Sequence, residues 1–416
     1  IHMRQLKVIL AVFFVSLSLY SYANETDSLL RVLDMSIRNR PQYTLERQEQ
    51  IDALQRKLRL PHSDQERFDV YRELFGKYRS YRMDSALWVA NQRVELAKRM
   101  KNPLHIYSAE LNVAEVMIGV AMYKEGLEIL DGIKSSDLDA SGISYYYYQY
   151  HQVYTLMADY AFSDKMKDHY RSLAYQYKDS ILNIRKPGSQ GYLLMKSEKL
   201  LYEEKYDEAI GILNSCYETH KQKGYSVAIP SIGLANAYGV MGKTELQKKY
   251  LIISAIADIQ AATKEYISLW KLANLLFQEG DINRAYTYIE CSMQDATFCN
   301  ARYRTQEISE MLPIISRTYE NKLRQEKTQM VALFVLLIIL LIALMFIFYQ
   351  MKRLNVARKA VSDMNEELKH INANLHTLND KLQESNQVKE EYIGYVFNMC
   401  SLYINKQEEQ RKMLAR

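Results

Sequence analysis

Residues 237–244, Ala-Tyr-Gly-Val-Met-Gly-Lys-Thr, carry the composition of a phosphate-binding loop: a small residue, four others, then Gly-Lys-Thr. That chemistry needs the loop between a buried strand and a helix N-terminus, where backbone N–H groups and the lysine cradle phosphates. Here the stretch falls at the turn of a helical hairpin, in register with Glu279-Gly-Asp-Ile-Asn-Arg-Ala285, so nucleotide binding at Lys243 is not expected. The eight histidines are scattered, and no HExxH, CxxC, GxSxG or GxGxxG pattern occurs. No catalytic residue, metal ligand or cofactor site is expected, and the chain reads as a non-enzyme.

A second stretch, VKEEYIGYVFNMCSLYI at residues 388–404, sits where a sensor histidine kinase keeps its phosphoacceptor helix. Lys389, Glu391 and Tyr392 begin in the same way. The phosphoacceptor position, however, falls on Asn398, which has no imidazole nitrogen to phosphorylate, and neither the following acid nor the usual proline is present. An inactive, kinase-like adaptor remains as an alternative reading.

The elements that must position these residues are helical. Gly (14) and Pro (6) are scarce among 416 residues, which favours long helices over β-turns. The formal net charge of +5 is small and spread in both signs, and residues 350–416 carry no dense basic cluster, so no nucleic-acid surface is expected there. From 65 to 312 the chain repeats. Ala86, Gly126, Lys165, Ala209, Gln247 and Ala285 mark one helical position at intervals of 40, 39, 44, 38 and 38 residues. Such a period implies stacked helix-turn-helix units, with small residues where antiparallel backbones cross. The expected fold is all-α: a tetratricopeptide-like solenoid of about six helix pairs with a concave face for a protein or peptide. In Ser144-Tyr-Tyr-Tyr-Tyr-Gln149, Tyr145, Tyr147 and Tyr148 are candidate partner-binding residues. Consecutive helical positions point all around, so most of these rings are expected to pack internally.

Two apolar runs flank the repeats. Arg4 and Lys7, the apolar stretch Val8 to Leu19, and Ser21-Tyr22-Ala23 form a secretory signal over 1–23. Met330 to Tyr349 is twenty residues without a charge, enough to span a bilayer as a helix. Lys352, Arg353, Arg358 and Lys359 follow it with no acid among them, which places the C-terminal side in the cytoplasm. The expected topology is single-pass in a bacterial inner membrane, with the repeats periplasmic. Cys216, Cys291 and Cys299 would then face an oxidising compartment and Cys400 a reducing one. Cys291 and Cys299 could bridge two helices or pack as buried thiols, and the second is expected.

Beyond the span, Leu354, Val361, Leu368, Leu375 and Leu382 take the a positions of a heptad, with Ala357, Met364, Ile371 and Leu378 at d. This pattern predicts a parallel coiled-coil homodimer. The expected order is therefore signal peptide 1–23, helical segment 24–64, solenoid 65–312, juxtamembrane segment 313–329, span 330–349, coiled coil 350–390, and the start of a cytoplasmic helical region at 391–416, which reads as truncated.

Several segments resemble a known family. DSLLRVLDMSI, DSALWVANQRVELA, EYISLWKLANLLFQEGDINRAYTYIECSMQDATFCNARYRT and EEYIGYVFNMCSLYINKQEEQRK are similar to the Bacteroidota family carrying domain of unknown function 6377. The resemblance covers nearly the whole mature chain. It implies a membrane-tethered regulator whose helix-turn-helix-like segment would begin beyond Arg416, so DNA contact is expected only through a region not in this chain. The functional expectation is a signal transducer; a membrane-tethered periplasmic scaffold is the rival.

Overall fold

The computed structural model describes residues 25–60, 63–224 and 226–414, so the expected signal peptide at 1–23 lies outside the described residues. The described residues contain helices, turns and a short 3-10 segment, with no strand among them, and divide into two compact units, one ending at Leu323 and one beginning at Arg324.

In the first unit, α1 (25–38) and α2 (Arg40–Leu58) precede six antiparallel pairs. These are α3 (Asp64–Tyr78) with α4 (Met83–Arg99), α5 (Pro103–Gly119) with α6 (Tyr123–Gly132), and α7 (Ala140–Asp159) with α8 (Asp164–Ile184). They continue as α9 (Gln190–Tyr202) with α10 (Tyr206–Gln222), α11 (Ala228–Val240) with α12 (Thr244–Gln260), and α13 (Ser268–Glu279) with α14 (Ile282–Cys299). Local chemistry starts many of these helices. Ser63 and Glu66 form a reciprocal capping box, and the side chains of Asn102, Asp139, Ser163, Ser189 and Asp281 each accept from a first-turn N–H.

The expected repeat markers hold where the residue is small: Ala86, Gly126, Ala209 and Ala285 are buried at their crossings. A Cβ on Gly126 would lie 2.9 Å from Ile118 Cγ1, so any larger residue there would force the Ile118 side chain to shift. Gln247 is accommodated differently, lying against Gly239, where a Cβ would meet its side chain at 2.6 Å. Lys165 is exposed at the start of α8, and that helix buries Ala174 and Ile181 instead. The third pair has longer helices, 20 and 21 residues, which shifts its crossing away from the marker. Gly242 belongs to a hairpin turn with φ of +70°, and Gly280 takes the same place in the next pair with φ of +88°. The glycine of the phosphate-loop pattern thus serves a left-handed turn between two helices, and Lys243 Nζ rests 5.9 Å from the Tyr238 ring centroid.

The stack closes on itself. Leu30 and Leu33 of α1 share a buried cluster with Leu251, Ile252, Tyr288 and Ile289 of the last two pairs. Asp34 receives hydrogen bonds from Arg284 Nε (3.1 Å) and Tyr288 Oη (2.6 Å). The first pair also touches the last: Cys299 and Ala301 pack among Met83, Ala86 and Val89, Lys264 N donates to Ser80 O (2.8 Å), and Asn300 Nδ2 donates to Asp84 (2.8 Å). At the centre of this seam Asp295 is 4% exposed and holds three partners: Lys264 Nζ at 3.0 Å, Tyr266 Oη at 2.7 Å and Arg40 Nη1 at 3.3 Å. Two hydrogen bonds and an ion pair offset the cost of burying these charges.

The last helix, α15 (Arg302–Leu414), begins in the first unit, where Ile308 and Ile315 are buried and Tyr319 stacks on Tyr286 with centroids 4.2 Å apart. Packing within that unit continues to Lys322, which donates to Asn283 Oδ1 at 2.9 Å. The second unit is the remainder of α15 alone. Every described residue from 323 to 414 is exposed, including the uncharged segment 330–349 and the seam residues Leu354, Val361, Met364, Leu368, Ile371, Leu375, Leu378 and Leu382. Among the described residues this is one helix long and apolar enough to cross a membrane.

Candidate functional site: the inner face of the repeat ring

Closure turns the concave side of the stack into an enclosed lining where side chains distant in sequence meet. Arg79, just after α3, pairs with Glu115 of α5 at 3.2 Å. Both also act electrostatically on Tyr145 and Tyr148 of α7 and on Glu265, which lies between α12 and α13. Across the same interior, Tyr160 Oη donates to Tyr303 O at 3.2 Å, joining the end of α7 to the start of α15. Arg304 pairs with Glu307, donates to Tyr303 Oη at 2.7 Å, and is 4% exposed.

A directed hydrogen-bond chain runs through this lining. Arg93 Nη1 donates to Asn112 Oδ1, Asn112 Nδ2 donates to Tyr145 Oη (3.3 Å), and Tyr145 Oη donates to a Glu115 oxygen whose partner oxygen faces Arg79. Each donor has one fitting acceptor, so the polarity of the chain is fixed by its two ends.

Enclosure shifts the ionisable groups in one direction. Burial pushes the Glu265 carboxyl up to about 7, with Arg304 opposing the rise and Glu115 adding to it. Asp258 also rises to about 7 through burial, against the hydrogen bond from Ser268. Burial, then Glu115, holds Tyr145 well above the usual phenol range, and burial, then Glu198, pushes Tyr148 up to about 12. The interior therefore presents neutral phenol donors beside two carboxyls poised near neutrality. Such a lining offers hydrogen-bond donors and acceptors.

Of the tyrosines singled out by sequence, Tyr145 and Tyr148 come together on this face. Tyr147 does not: it packs on Tyr177 of α8 with centroids 5.9 Å apart, in a cluster with Tyr146, Tyr150 and Tyr154. Sequence reasoning missed Arg79, Arg93, Asn112, Glu115, Glu265 and Arg304. A local signal existed for Arg93, which continues the buried stripe of Ala86, Ala90 and Ala97 on α4 and so places a charge in an apolar phase.

Cys216, Cys291 and Cys299 are free and buried, and burial raises all three thiols above the ordinary range. Among the described residues no group of His, Cys, Asp and Glu could hold a metal ion.

The family comparison supports the repeat architecture. The family model described as the SusR N-terminal TPR domain matches residues 37–310. Among solved structures, the TPR2AB-domain:pHSP90-complex of yeast Sti1 is similar at 12% identity, covering 68% of this chain and 98% of that chain, with a TM-score of 0.27. A search of curated proteins gives no match.

Proposed function

Because the chain belongs to the SusR N-terminal TPR domain family, we propose that it is a membrane-tethered regulator that binds a protein or peptide ligand on its repeat ring. In this reading residues 24–329 lie in the periplasm, 330–349 cross the inner membrane, and the heptad helix passes the bound state to a cytoplasmic output. The finer resemblance to the family carrying domain of unknown function 6377 supports the same order of parts. The protein acts by binding and not by catalysis.

One observation carries the proposal. The first unit buries its own apolar seams, whereas residues 330–349 and the heptad seam of 354–382 are apolar and exposed along their whole length. A twenty-residue uncharged helical segment finds its partner in a bilayer. A heptad stripe finds one in a second copy of itself. A helix joining two such segments without a break can carry a rotation or a piston shift between them.

Alkaline-phosphatase fusions test the topology. Fusions after residue 320 are expected to be active and fusions after residue 360 inactive. The opposite pattern would refute the proposed orientation, and activity at both positions would remove the span.

A further inference from the structure

A cavity of about 920 Å³ opens beside the inner face, sharing Arg93 and Tyr145 with it, and is bounded by α3, α4, α5, the start of α7 and the turn between α8 and α9. Its volume is that of a small-molecule site. The first turns of α5, α7 and α9 all contribute to its wall, through His105, Ser141 and Gly191. Asn102, Asp139 and Ser189 each cap one N–H at these helix starts, and the remaining first-turn N–H groups add positive potential to the wall.

The side chains add to it. Arg72, Arg93, Arg185 and Lys186 line the cavity against Asp69 and Asp139, an excess of two positive charges. Asp69 already pairs with Arg72 at 3.2 Å, and Asp139 is held by the Gly142 N–H at 2.7 Å. Arg93 is the unusual member. It is 2% exposed, its guanidinium lies 4.4 Å from the Phe68 ring centroid, and its one hydrogen-bond acceptor is the neutral Asn112. Its Nε has no hydrogen-bond partner, and neither does buried Nδ1 of His105, whose ring stacks on the same Phe68 at 4.5 Å. A buried guanidinium without an anion is costly, and Phe68 and Asn112 hold it with Asp69, already paired with Arg72, the only acid near enough to favour its charge.

We propose that this cavity binds a small organic anion, with a carboxylate or phosphate group received by Arg93 and the surrounding helix starts. The planar guanidinium fork suits either oxyanion, and Arg72 and Lys186 at the rim draw it in. Burial, and next the nearby Arg72, pull the Arg93 guanidinium down to about 10, as expected for a cation awaiting its counter-charge. Arg93 is also the first donor of the chain through Asn112 and Tyr145 to Glu115, so an anion here would pull on a residue of the inner face.

The test is calorimetric titration of the full-length protein in detergent with inorganic phosphate and with citrate, at matched ionic strength against sodium chloride. Saturable binding of phosphate alone assigns a phosphoryl ligand, and of citrate alone a carboxylate; either supports the site. Arg93→Gln is expected to abolish that binding. The rim variant Arg72→Gln/Lys186→Gln, at exposed positions that the fold does not need, is expected to weaken it about tenfold, as loss of charge-assisted contacts does. The rim variant decides the matter if Arg93→Gln does not fold. No saturable binding of either probe, or binding unchanged in the variants that fold, overturns the proposal.

Discussion

The repeat ring and the helix beyond it are both built from apolar residues recurring every three or four positions, yet they end in opposite conditions. In the ring each stripe meets another: Leu272, Ala273 and Leu276 of α13 are buried against Leu251, Ala285 and Ile289. In the distal helix Leu368, Ile371 and Leu375 keep the same spacing and remain about half exposed, at 54%, 47% and 56%. Periodicity therefore announces a buried face but not its partner. The turns decide which kind of partner it is. Left-handed residues such as Gly242 and Gly280 fold the ring's helices back on their neighbours, while the 113-residue α15 has no such turn.

The sharpest way to break this comparison is to remove the distal stripe alone. The double variant Leu368→Asn/Leu375→Asn is expected to convert the proposed dimer to monomer, since each leucine contributes about 1.5–3 kcal/mol of burial on each helix. Sedimentation of the detergent-solubilised protein checks it. Melting of the ring should not change, and a variant that stays dimeric would place the interface elsewhere.

Next in size is the closure of the ring. Asp295→Ala strips buried Lys264 of its acid and takes partners from Tyr266 and Arg40. A loss of about 3–5 kcal/mol is expected, as for other broken buried pairs, read from urea unfolding. A loss under about 1 kcal/mol would show that the first and last repeats need not be joined, because exposed pairs are worth that little.

A smaller effect follows from the inner carboxyls. Glu265 and Asp258 hold their protons up to about pH 7 in the folded ring and release them near the ordinary carboxylate range when unfolded. The native state thus binds more protons between about pH 4.5 and 7, and these two groups make stability fall as pH rises through that window. Glu265→Gln is expected to flatten the slope of melting temperature against pH from 5 to 7. An unchanged slope would mean the carboxyl is solvated.

Smaller still are two expected silences. Alkylation of the native protein should modify exposed Cys400 and spare Cys216, Cys291 and Cys299 until the ring unfolds, because burial keeps those thiols protonated. Lys243→Ala should leave folding and ligand response as they are, since Lys243 lies over Tyr238 at a turn. A folded Lys243→Ala protein that no longer responds would reopen the phosphate-loop reading.

Much of the ring was legible in the sequence because its information is local. The markers Ala86, Gly126, Ala209 and Ala285 name crossings within a hairpin, and turn residues repeat beside them. The closure was not legible. Asp34 with Arg284, and Arg40 with Cys291 and Asp295, join positions some 250 residues apart, and no periodicity encodes which stripe another will meet. The apolar stripe of Leu29, Leu30, Leu33 and Ile37 marks α1 as needing a partner without naming it. The inner face was hidden for a related reason. Glu115, Tyr145 and Glu265 are unremarkable alone and gain their character only when enclosed together.

Cross-linking across the distal stripe tests the central proposal most directly. In a Cys400→Ser background, Ile371→Cys would be oxidised in isolated membranes, before and after the condition that activates the output. The account predicts a symmetric cross-link whose yield changes with that condition, as two packings of one coil require. Absence of cross-linking in every state would contradict the parallel dimer and the transducer mechanism built on it.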